Sequence, residues 1–370
     1  MKLNLGLIFG GRSGEHEVSL QSAKSIAAAV NKDKFNLLLL AVDKNGNWFL
    51  ADKDNYLENE DDPATIKLRV KADQQIALAP DNNSNRITRI SDGKNLGHID
   101  VAFPIIHGTF GEDGSLQGYM SMLNIPCVGA DVLGSAAAMD KQIAKKLLIS
   151  EGIPVADCLF ANKQSDIQSV AKVAADKFGF PLFVKPACSG SSVGVYKAVN
   201  EKELVESIVK ALNFDANVLI EKAIIGREIE CSILGNSTLI ASVPGEVITR
   251  HAFYSYEAKY IDANGAQLDM PAKVDSMTAG RIKDLACRSY KALSCSGMAR
   301  VDMFLTENGE LIMNEINTLP GFTKISMYPK LIGLTGIEYP ELIDRLVDLA
   351  IEIHTQREGF LKNILQAKLF

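Results

Sequence analysis

The stretch "ARVDMFLTENGELIMNEIN", residues 299–317, constrains the fold most, because it reads as two short strands joined by a tight turn. Asn308-Gly309 is a dipeptide that favours a two-residue type I′ hairpin loop, in which both residues need positive φ. In such a hairpin Glu307 pairs with Glu310, and every later pair follows from that one. The turn therefore predicts the register of both strands.

Four polar side chains lie on one face of this hairpin in the predicted register, since side chains two positions apart point the same way. Asp302 is opposite Glu315, and Arg300 is opposite Asn317. Opposed like charges destabilise a sheet by about 0.2–1 kcal/mol, so we expect a cation between the two acids. Carboxylate and amide oxygens suit a hard divalent ion such as Mg²⁺ better than zinc. A solvated hairpin face is the alternative, and a longer loop would break the constellation.

The composition is that of an ordinary globular protein, with 47% apolar and 23% charged residues. A chain of 370 residues suggests about two or three domains. The net charge of -6 argues against a general nucleic-acid binder.

Cysteine usage and hydropathy indicate a cytoplasmic protein. The six cysteines include no C-x-x-C pair, so they imply neither a disulfide framework nor a thiolate zinc site. The apolar run at the N-terminus is short, and no stretch approaches the roughly 18 apolar residues of a membrane span. We therefore expect reduced core thiols and no membrane insertion.

Short apolar runs alternate with helical patterns, which is typical of α/β and α+β folds. The N-terminal part reads as a doubly wound parallel sheet, whose ligands gather at the carboxyl ends of the strands. Its predicted elements are strand 3–9, helix 17–30, strand 35–43, strand 101–108 and a helix near 116–124. Residues 52–98 are polar and irregular, and we expect surface excursions there.

The pattern changes after an amphipathic helix at 139–152, which Gly152 and Pro154 close. Beyond it, strand pairs and helices predict a small α+β unit, and a third region with more antiparallel strands starts near residue 225. The predicted helices of these two regions are 165–178, 201–211, 275–294 and 340–355.

Two glycine-containing loops are candidate anion sites. "FGGRSGE" at 9–15 joins a strand to a helix, so its backbone N–H groups could bind an anion, although a merely tight turn explains it equally well. "VKPACSGSSVGV" at 184–195 places Lys185 before a flexible loop that can fold over phosphates. It lacks the spacing of a P-loop, and a plain flexible hairpin is the alternative.

Together these segments resemble the D-alanine:D-alanine ligases of the ATP-grasp superfamily, in the family's order and over nearly the whole chain. The residues that carry the resemblance are "GGRSGEHEVS" (10–19), "HGTFGEDGSLQG" (107–118), "MDK" (139–141), "VKPACSGSSVGV" (184–195), "LIEKAIIGRE" (219–228), "YSYEAKY" (254–260), "ARVDMF" (299–304) and "NEINTLPGFTKISM" (314–327). The resemblance implies an ATP-grasp fold with an N-terminal Rossmann-like parallel-sheet domain. The implied domains are 1–138, 139–224 and 225–370.

The resemblance also implies cofactors, a partner and site residues. It implies ATP, two Mg²⁺ ions with Mn²⁺ as an alternative, and a homodimer. The implied metal ligands are Asp302, Glu315 and Asn317, where the hairpin geometry also points. The implied ATP-binding residues are Lys141, Lys185, Glu221, Lys222, Glu228 and Lys259. Glu221 and Lys222 fall at the adenine end, and Glu228 at the ribose.

The remaining implied roles concern the two amino-acid substrates. The residues at the first D-alanine are Glu15, Ser191, Tyr260 and His107, with Glu15 facing the ammonium group. The residues at the carboxylate of the second substrate are Lys259, Ser326 and Met327. Arg300 and the backbone N–H of Gly321 stabilise the oxyanion.

The implied reaction is ATP-dependent ligation of two D-alanine molecules through an acyl phosphate, for peptidoglycan precursor synthesis. Tyr260 favours D-alanine as second substrate, because relatives that make the D-lactate ester typically lack this tyrosine. Another ATP-grasp carboxylate–amine ligase, including one that uses D-lactate or D-serine, is the main alternative. An NAD-dependent oxidoreductase conflicts with the glycine spacing. A catalytically silent nucleotide-binding protein conflicts with the joint presence of the lysines, the metal ligands and Arg300.

Overall fold

Three main sheets, each formed by a successive part of the chain, carry the architecture. The computed structural model describes residues 2–81, 84–249, 266–323 and 325–367. Lys259 and Tyr260 therefore lie outside the described residues. Within those ranges, no helix combines the length and the apolar character that a membrane span needs. The predicted division into domains at 138/139 and 224/225 stays a prediction.

The first sheet is mixed and belongs to the N-terminal part of the chain. The strands of this part are β1 (Leu3–Gly10), β2 (Phe35–Val42), β3 (Trp48–Leu50), β4 (Leu57–Glu58), β5 (Lys67–Leu68), β6 (Gln75–Asp81), β7 (Ser84–Arg89) and β8 (Val101–Pro104). The sheet order is β7-β6-β3-β2-β1-β8, while β4 and β5 form a separate pair. The helices are α1 (His16–Ala29), α2 (Ser115–Met122) and α3 (Val132–Met139), with a 3₁₀ turn at Ala72–Gln74.

The predicted surface excursion at 52–98 is wrong for its second half. β6 and β7 form an antiparallel hairpin that extends the sheet beyond β3, so only β2, β1 and β8 run parallel. Ile76, Leu78 and Ile87 anchor this hairpin in an apolar core. Three apolar positions in a polar segment are a weak sequence signal, because an edge hairpin needs to bury only one face.

The second sheet is antiparallel, and its helices begin at side-chain caps. Its strands are β9 (Cys158–Asn162), β10 (Leu182–Pro186), β11 (Tyr196–Ala198) and β12 (Asn217–Lys222), in the order β11-β10-β12-β9. The helices of this part are α4 (Lys141–Ser150), α5 (Ile167–Phe178) and α6 (Glu201–Ala211). Asp140 ends α3 and caps α4 by accepting from the N–H groups of Gln142 and Ile143. The predicted helix at 139–152 therefore begins at Lys141.

The third sheet is antiparallel and has one polar face. Its strands are β13 (Gly226–Gly235), β14 (Leu239–Ala241), β15 (Gly245–Thr249), β16 (Ala266–Asp269), β17 (Met298–Thr306) and β18 (Leu311–Asn317). The helices are α7 (Ser276–Ala292), α8 (Met327–Leu334) and α9 (Tyr339–Ala367). Helix α7 covers one face, where Ile282 packs with Ile229 and Val301. Helix α9 packs Leu342 and Leu346 onto the first sheet and continues past the predicted end at 355.

The loop of the β17–β18 hairpin differs from the predicted two-residue turn. Leu305 pairs with Leu311, and Thr306 N–H donates to the Glu310 carbonyl at 2.9 Å. Three residues, 307–309, therefore form the loop, and of the predicted dipeptide only Gly309 has positive φ. This arrangement is the other common hairpin loop, in which a left-handed glycine closes three residues.

The predicted register at the site is nevertheless confirmed, because a second irregularity offsets the longer loop. The pairing shifts by one residue between Met303 and Asp302, so that Asp302 pairs with Glu315. Met303 pairs with Met313, which leaves Asn314 as the extra residue on β18. Two one-residue deviations thus cancel at the predicted metal-ligand positions.

Candidate active site

The polar face of β17 and β18 brings the four predicted hairpin side chains together. Arg300 donates from Nε and Nη2 to the two carboxylate oxygens of Asp302, over 2.8 and 2.6 Å. Asn317 Nδ2 donates to Asp302 Oδ2 at 3.0 Å. Glu315 is paired with Asp302 across the strands. Arg300 is therefore a cation held directly on one of the two opposed acids.

The donor set of this face fits a hard divalent ion, because two carboxylates and an amide offer only oxygen ligands. Among the described ranges, no group of three or more His, Cys, Asp or Glu side chains is arranged to hold a metal ion. A metal on Asp302 and Glu315 thus depends on Asn317 and on further oxygens from a bound ligand. Mg²⁺ sites in phosphoryl-transfer enzymes commonly have this form, with one or two carboxylates plus substrate phosphates.

Glu230 extends the polar face onto β13 and was not predicted. It pairs with Asp302 across the strands, and its Oε2 lies 3.1 Å from Arg300 Nε. Glu228 is two residues earlier on the same strand and so points to the same side of the sheet. That spacing is the sequence signal that could have found Glu230.

A buried ion-pair network faces the hairpin from the second sheet. Lys185 Nζ lies 2.7 Å from Glu221 Oε2 and 3.3 Å from Asn314 Oδ1 on β18. Lys145 Nζ lies 2.9 Å from Glu221 Oε1. Burial alone would raise the pKa of Glu221, but Lys185 and Lys145 outweigh it and lower this pKa to about 2. The Glu221 carboxylate is therefore ionised at neutral pH, between two lysines.

The same network sets the charge of Lys185. Burial lowers the pKa of Lys185, but Glu221 outweighs burial, with further help from Glu315 and Glu228, and the pKa is raised. Lys185 is thus a firmly charged ammonium at the junction of the second and third sheets. We use "sheet junction" below for this place, where Lys185 meets Asn314.

The glycine-rich loop after β10 closes onto the loop after β1. Lys141 Nζ donates to the Ser189 carbonyl at 2.6 Å, and Ser191 Oγ donates to a carboxylate oxygen of Glu15. Ser191 has φ +50°, a conformation that costs a non-glycine residue about 1–3 kcal/mol and is typical of functional loops. A Cβ added at Gly190 would stand 3.2 Å from Glu15 Oε2. The loop is therefore packed directly against Glu15.

His107 is buried next to acidic side chains. Its Nδ1–H donates to the Leu319 carbonyl at 3.0 Å, and Nδ1 lies 3.8 Å from Glu112 Oε1. Burial lowers the pKa of His107, but Glu112 and Glu15 outweigh burial and raise it. Glu112 was not predicted, although it lies in the same "HGTFGEDG" segment. His107 thus connects the first sheet to the chain that follows β18.

The segment after β18 contains the three other predicted positions. Ser326 Oγ accepts from the Thr323 N–H at 3.0 Å, and a Cβ added at Gly321 would stand 3.0 Å from the same Oγ. The Met327 side chain is 6% exposed and packs in a small apolar cluster. If Met327 contacts a substrate carboxylate, as predicted, the contact is made by its backbone N–H at the start of α8.

Four residues that sequence reasoning missed contact the predicted ones, namely Glu112, Lys145, Glu230 and Asn314. Lys145 follows Lys141 by four positions and so shares its helix face, which is a usable signal. The position of Asn314 depends on the register shift, which the sequence does not reveal. Of the predicted residues, Lys222 is exposed at the end of β12.

Comparison with known proteins identifies the family. The model described as "D-ala D-ala ligase N-terminus" matches residues 4–130, and the one described as "D-ala D-ala ligase C-terminus" matches residues 147–348. A D-alanine--D-alanine ligase from Oceanobacillus iheyensis is 52% identical over 364 residues, which cover 98% of this chain and 99% of the relative.

Solved structures are similar over almost the whole chain. The D-alanine-D-alanine ligase from Coxiella burnetii has a TM-score of 0.86 at 34% identity and covers 99% of both chains. The VanG D-Ala:D-Ser ligase from Enterococcus faecalis has a TM-score of 0.82 at 33% identity and covers 95% of this chain and 100% of that chain. The chain therefore belongs to the D-alanine--D-alanine ligase family and has the ATP-grasp fold.

Proposed function

We propose that this protein joins two D-alanine molecules to D-alanyl-D-alanine through an acyl phosphate, converting ATP to ADP and phosphate, for peptidoglycan precursor synthesis. The observation that carries the proposal is the sheet junction. There the half-buried ammonium of Lys185 faces a surface on which Arg300, Asp302 and Glu315 lie side by side. Phosphoryl transfer needs both kinds of group, cations for the phosphates and oxygen ligands for a metal. Membership of the ligase family supports the same reaction.

ATP binding is assigned to residues around the sheet junction. Lys141 and Lys185 would contact the phosphates. The Ser189 carbonyl fixes the ammonium of Lys141, and the Glu221 carboxylate fixes that of Lys185. Glu221 and Lys222 would lie at the adenine end and Glu228 at the ribose. Asp302, Glu315 and Asn317 would hold Mg²⁺, which supplies charge neutralisation for phosphoryl transfer. Lys259, outside the described residues, is a further candidate phosphate contact.

In the first step, a carboxylate oxygen of the first D-alanine attacks the γ-phosphorus of ATP, and the bond from that phosphorus to ADP breaks. Because a carboxylate is a poor nucleophile toward a polyanion, neutralising the phosphates is the main requirement. Glu15, fixed by Ser191, would bind the ammonium group of D-alanine. His107, fixed through Nδ1 to the Leu319 carbonyl, would lie near its carboxylate. Tyr260 completes the proposed trio with Glu15 and Ser191.

In the second step, the deprotonated amine of the second D-alanine attacks the acyl carbon, and phosphate leaves from the tetrahedral intermediate. Arg300 and the Gly321 N–H would stabilise the oxyanion. Ser326, the Met327 N–H and Lys259 would bind the carboxylate of this substrate. The loop that carries Ser191 would exclude water, because an acyl phosphate otherwise hydrolyses.

The proposal predicts D-alanine-dependent phosphate release. Incubation with ATP, Mg²⁺ and D-alanine should yield one phosphate per dipeptide, detected by a phosphate assay and by mass spectrometry. L-alanine is the matched control and should give neither product, because the first-substrate site orients ammonium and carboxylate for one enantiomer. Phosphate release without dipeptide, or an equal yield from L-alanine, would contradict the proposed reaction.

A D-alanine:D-serine or D-alanine:D-lactate ligase is the second candidate, and the likeness to the VanG D-Ala:D-Ser ligase favours the D-serine form. Tyr260 is the sequence feature that favours D-alanine in the second subsite. Mixtures of D-alanine with D-serine or D-lactate at neutral pH separate the candidates in the same assay. D-alanyl-D-alanine should be the main product in both mixtures. If the ester or the mixed dipeptide is the main product instead, the second candidate is correct.

We also propose that the protein is a cytoplasmic homodimer, and the exposed end of α9 supports a second copy as partner. Four apolar side chains there are about half exposed or more and repeat at helical spacing, namely Phe360, Leu361, Ile364 and Leu365. Leu361 and Leu365 line a groove of about 1030 Å³ beside α2, away from the sheet junction. Sedimentation velocity at micromolar concentration should find two copies, and a monomer there would contradict the dimer.

A further inference from the structure

Lys145 is a buried lysine for which the proposed reaction has no task. It lies on α4 with a side chain 4% exposed, and burying an ammonium is costly unless it is paired and hydrogen-bonded. Its Nζ satisfies that condition twice, at 2.9 Å from Glu221 Oε1 and at 3.1 Å from the Ala156 carbonyl oxygen. The neighbours of Lys145 on this helix, Ala144 and Leu148, pack in the core of the third sheet.

The two oxygens of Glu221 are divided between two lysines. Oε1 belongs to Lys145 and Oε2 to Lys185, whose Nζ lies 2.7 Å away. Glu221 is on β12 and Lys185 on β10, and these strands are neighbours in the second sheet. The carboxylate therefore cannot rotate toward one lysine without leaving the other. Lys145 fixes the rotamer of Glu221, and Glu221 fixes the ammonium of Lys185.

Asn314 holds the same ammonium from the other side of the sheet junction. Its Oδ1 lies 3.3 Å from Lys185 Nζ, and it occupies the extra position on β18 next to Glu315. A chain of contacts thus runs from α4 through the second sheet to the proposed metal hairpin. Lys185 lies at the centre of this chain, between the Glu221 carboxylate and the Asn314 side-chain amide. Lys145 orients the first, and the register shift positions the second.

We propose that Lys145 is a positioning residue for ATP: through Glu221 it holds the ammonium of Lys185 at the sheet junction, with Asn314 as the opposing contact. The inference rests on the proposed function, because that function places Lys185 at the phosphates of ATP. Lys145 itself is separated from Lys185 by the Glu221 carboxylate and would not touch the nucleotide. Its effect should therefore appear in ATP affinity, since Lys185 loses its fixed place and not its charge.

The first test replaces Lys145 with methionine, which keeps the length of the side chain and removes the charge. We expect the Kd for ATP in the presence of Mg²⁺, measured by calorimetric titration, to rise about tenfold. The KM for ATP should rise by the same factor, while kcat at saturating ATP changes less than threefold. A thermal melt checks that the variant is folded. Lys146→Met is the matched control, because Lys146 is the next residue and is exposed, and its Kd should stay that of the wild type.

A double-mutant cycle tests whether Lys145 acts through Glu221. If it does, Lys145→Met combined with Glu221→Gln should bind ATP no more weakly than Glu221→Gln alone. Multiplicative losses would show an independent action of Lys145 and overturn the proposal. Lys145→Gln, whose amide can still donate a hydrogen bond, replaces the methionine variant if that one does not fold.

Three further outcomes separate the proposal from its alternatives. A folded Lys145→Met protein with lowered thermal stability and the Kd of the wild type would make Lys145 a structural residue only and overturn the proposal. Failure of both Lys145 variants to fold would do the same. A wild-type protein that binds ATP but makes no dipeptide would refute the proposed function instead, and the Kd measurements would still decide the role of Lys145.

Discussion

We expect Glu315→Gln to abolish turnover and to leave the protein folded. Glu315 pairs with Asp302 on the polar face, so the change removes one of two opposed negative charges and keeps the shape of the side chain. We expect the fold to tolerate the change, because opposed like charges are unfavourable in a sheet. A hard divalent ion, however, loses one of its two carboxylate ligands. We expect kcat to fall by at least about 10³-fold, the scale of charge stabilisation that a metal provides.

Two measurements separate loss of the metal from loss of the fold. Titration of the wild type with ATP should show affinity that depends on Mg²⁺ and disappears with a chelator, whereas Glu315→Gln should bind ATP weakly in both conditions. Glu310→Gln is the matched control, because Glu310 is exposed near the loop of the same hairpin. It should keep the kcat of the wild type. Turnover by Glu315→Gln at the wild-type rate, or ATP binding indifferent to chelation, would contradict the metal assignment.

The hairpin shows what a sequence can predict about this site and what it cannot. Alternation places Arg300 and Asp302 on one face of β17, and Glu315 and Asn317 on one face of β18, whatever the loop does, since that is a property of extended chains. Which residues face each other depends on the loop and on any bulge, and here both differ from the prediction. The longer loop and the bulge each shift the register by one residue in opposite directions, so Asp302 still pairs with Glu315 and Arg300 with Asn317. Asn314 is the exception, because it acquires a place at the sheet junction only through the shift.

Elsewhere, predictions failed where little apolar surface is buried. The hairpin of β6 and β7 is held by apolar residues on one face only, so its polar sequence conceals two strands of the first sheet. Helix α9 extends past 355 although its buried residues end at Ala350. Beyond that point local helix propensity decides the conformation, and the periodic burial on which the prediction relied is gone. The strands β17 and β18 bury one face, and their predicted positions within 299–317 agree with the structure to within a few residues.

Arg300→Lys is expected to lower kcat about 10²–10³-fold, the cost of removing one preorganised oxyanion donor. Arg300 meets both oxygens of Asp302 through two nitrogens, and its Nε also lies 3.1 Å from Glu230. These contacts fix the plane of the guanidinium and hence the direction of its N–H groups. A lysine keeps the positive charge that the two acids require but presents a single, rotating ammonium. The fold and the Kd for ATP should therefore change little.

The control for this prediction is a second arginine with the same geometry on the other face of the sheet. Arg227 donates from Nε and Nη2 to the two oxygens of Glu246, over 2.8 and 2.6 Å, and its position on β13 alternates with that of Glu228. Arg227→Lys loses an equivalent pair of hydrogen bonds to a carboxylate and should leave kcat unchanged. If both variants lose activity equally, the loss reflects damage to the third sheet. If only Arg300→Lys loses kcat, the direction of its N–H groups, and not charge alone, is what the reaction requires.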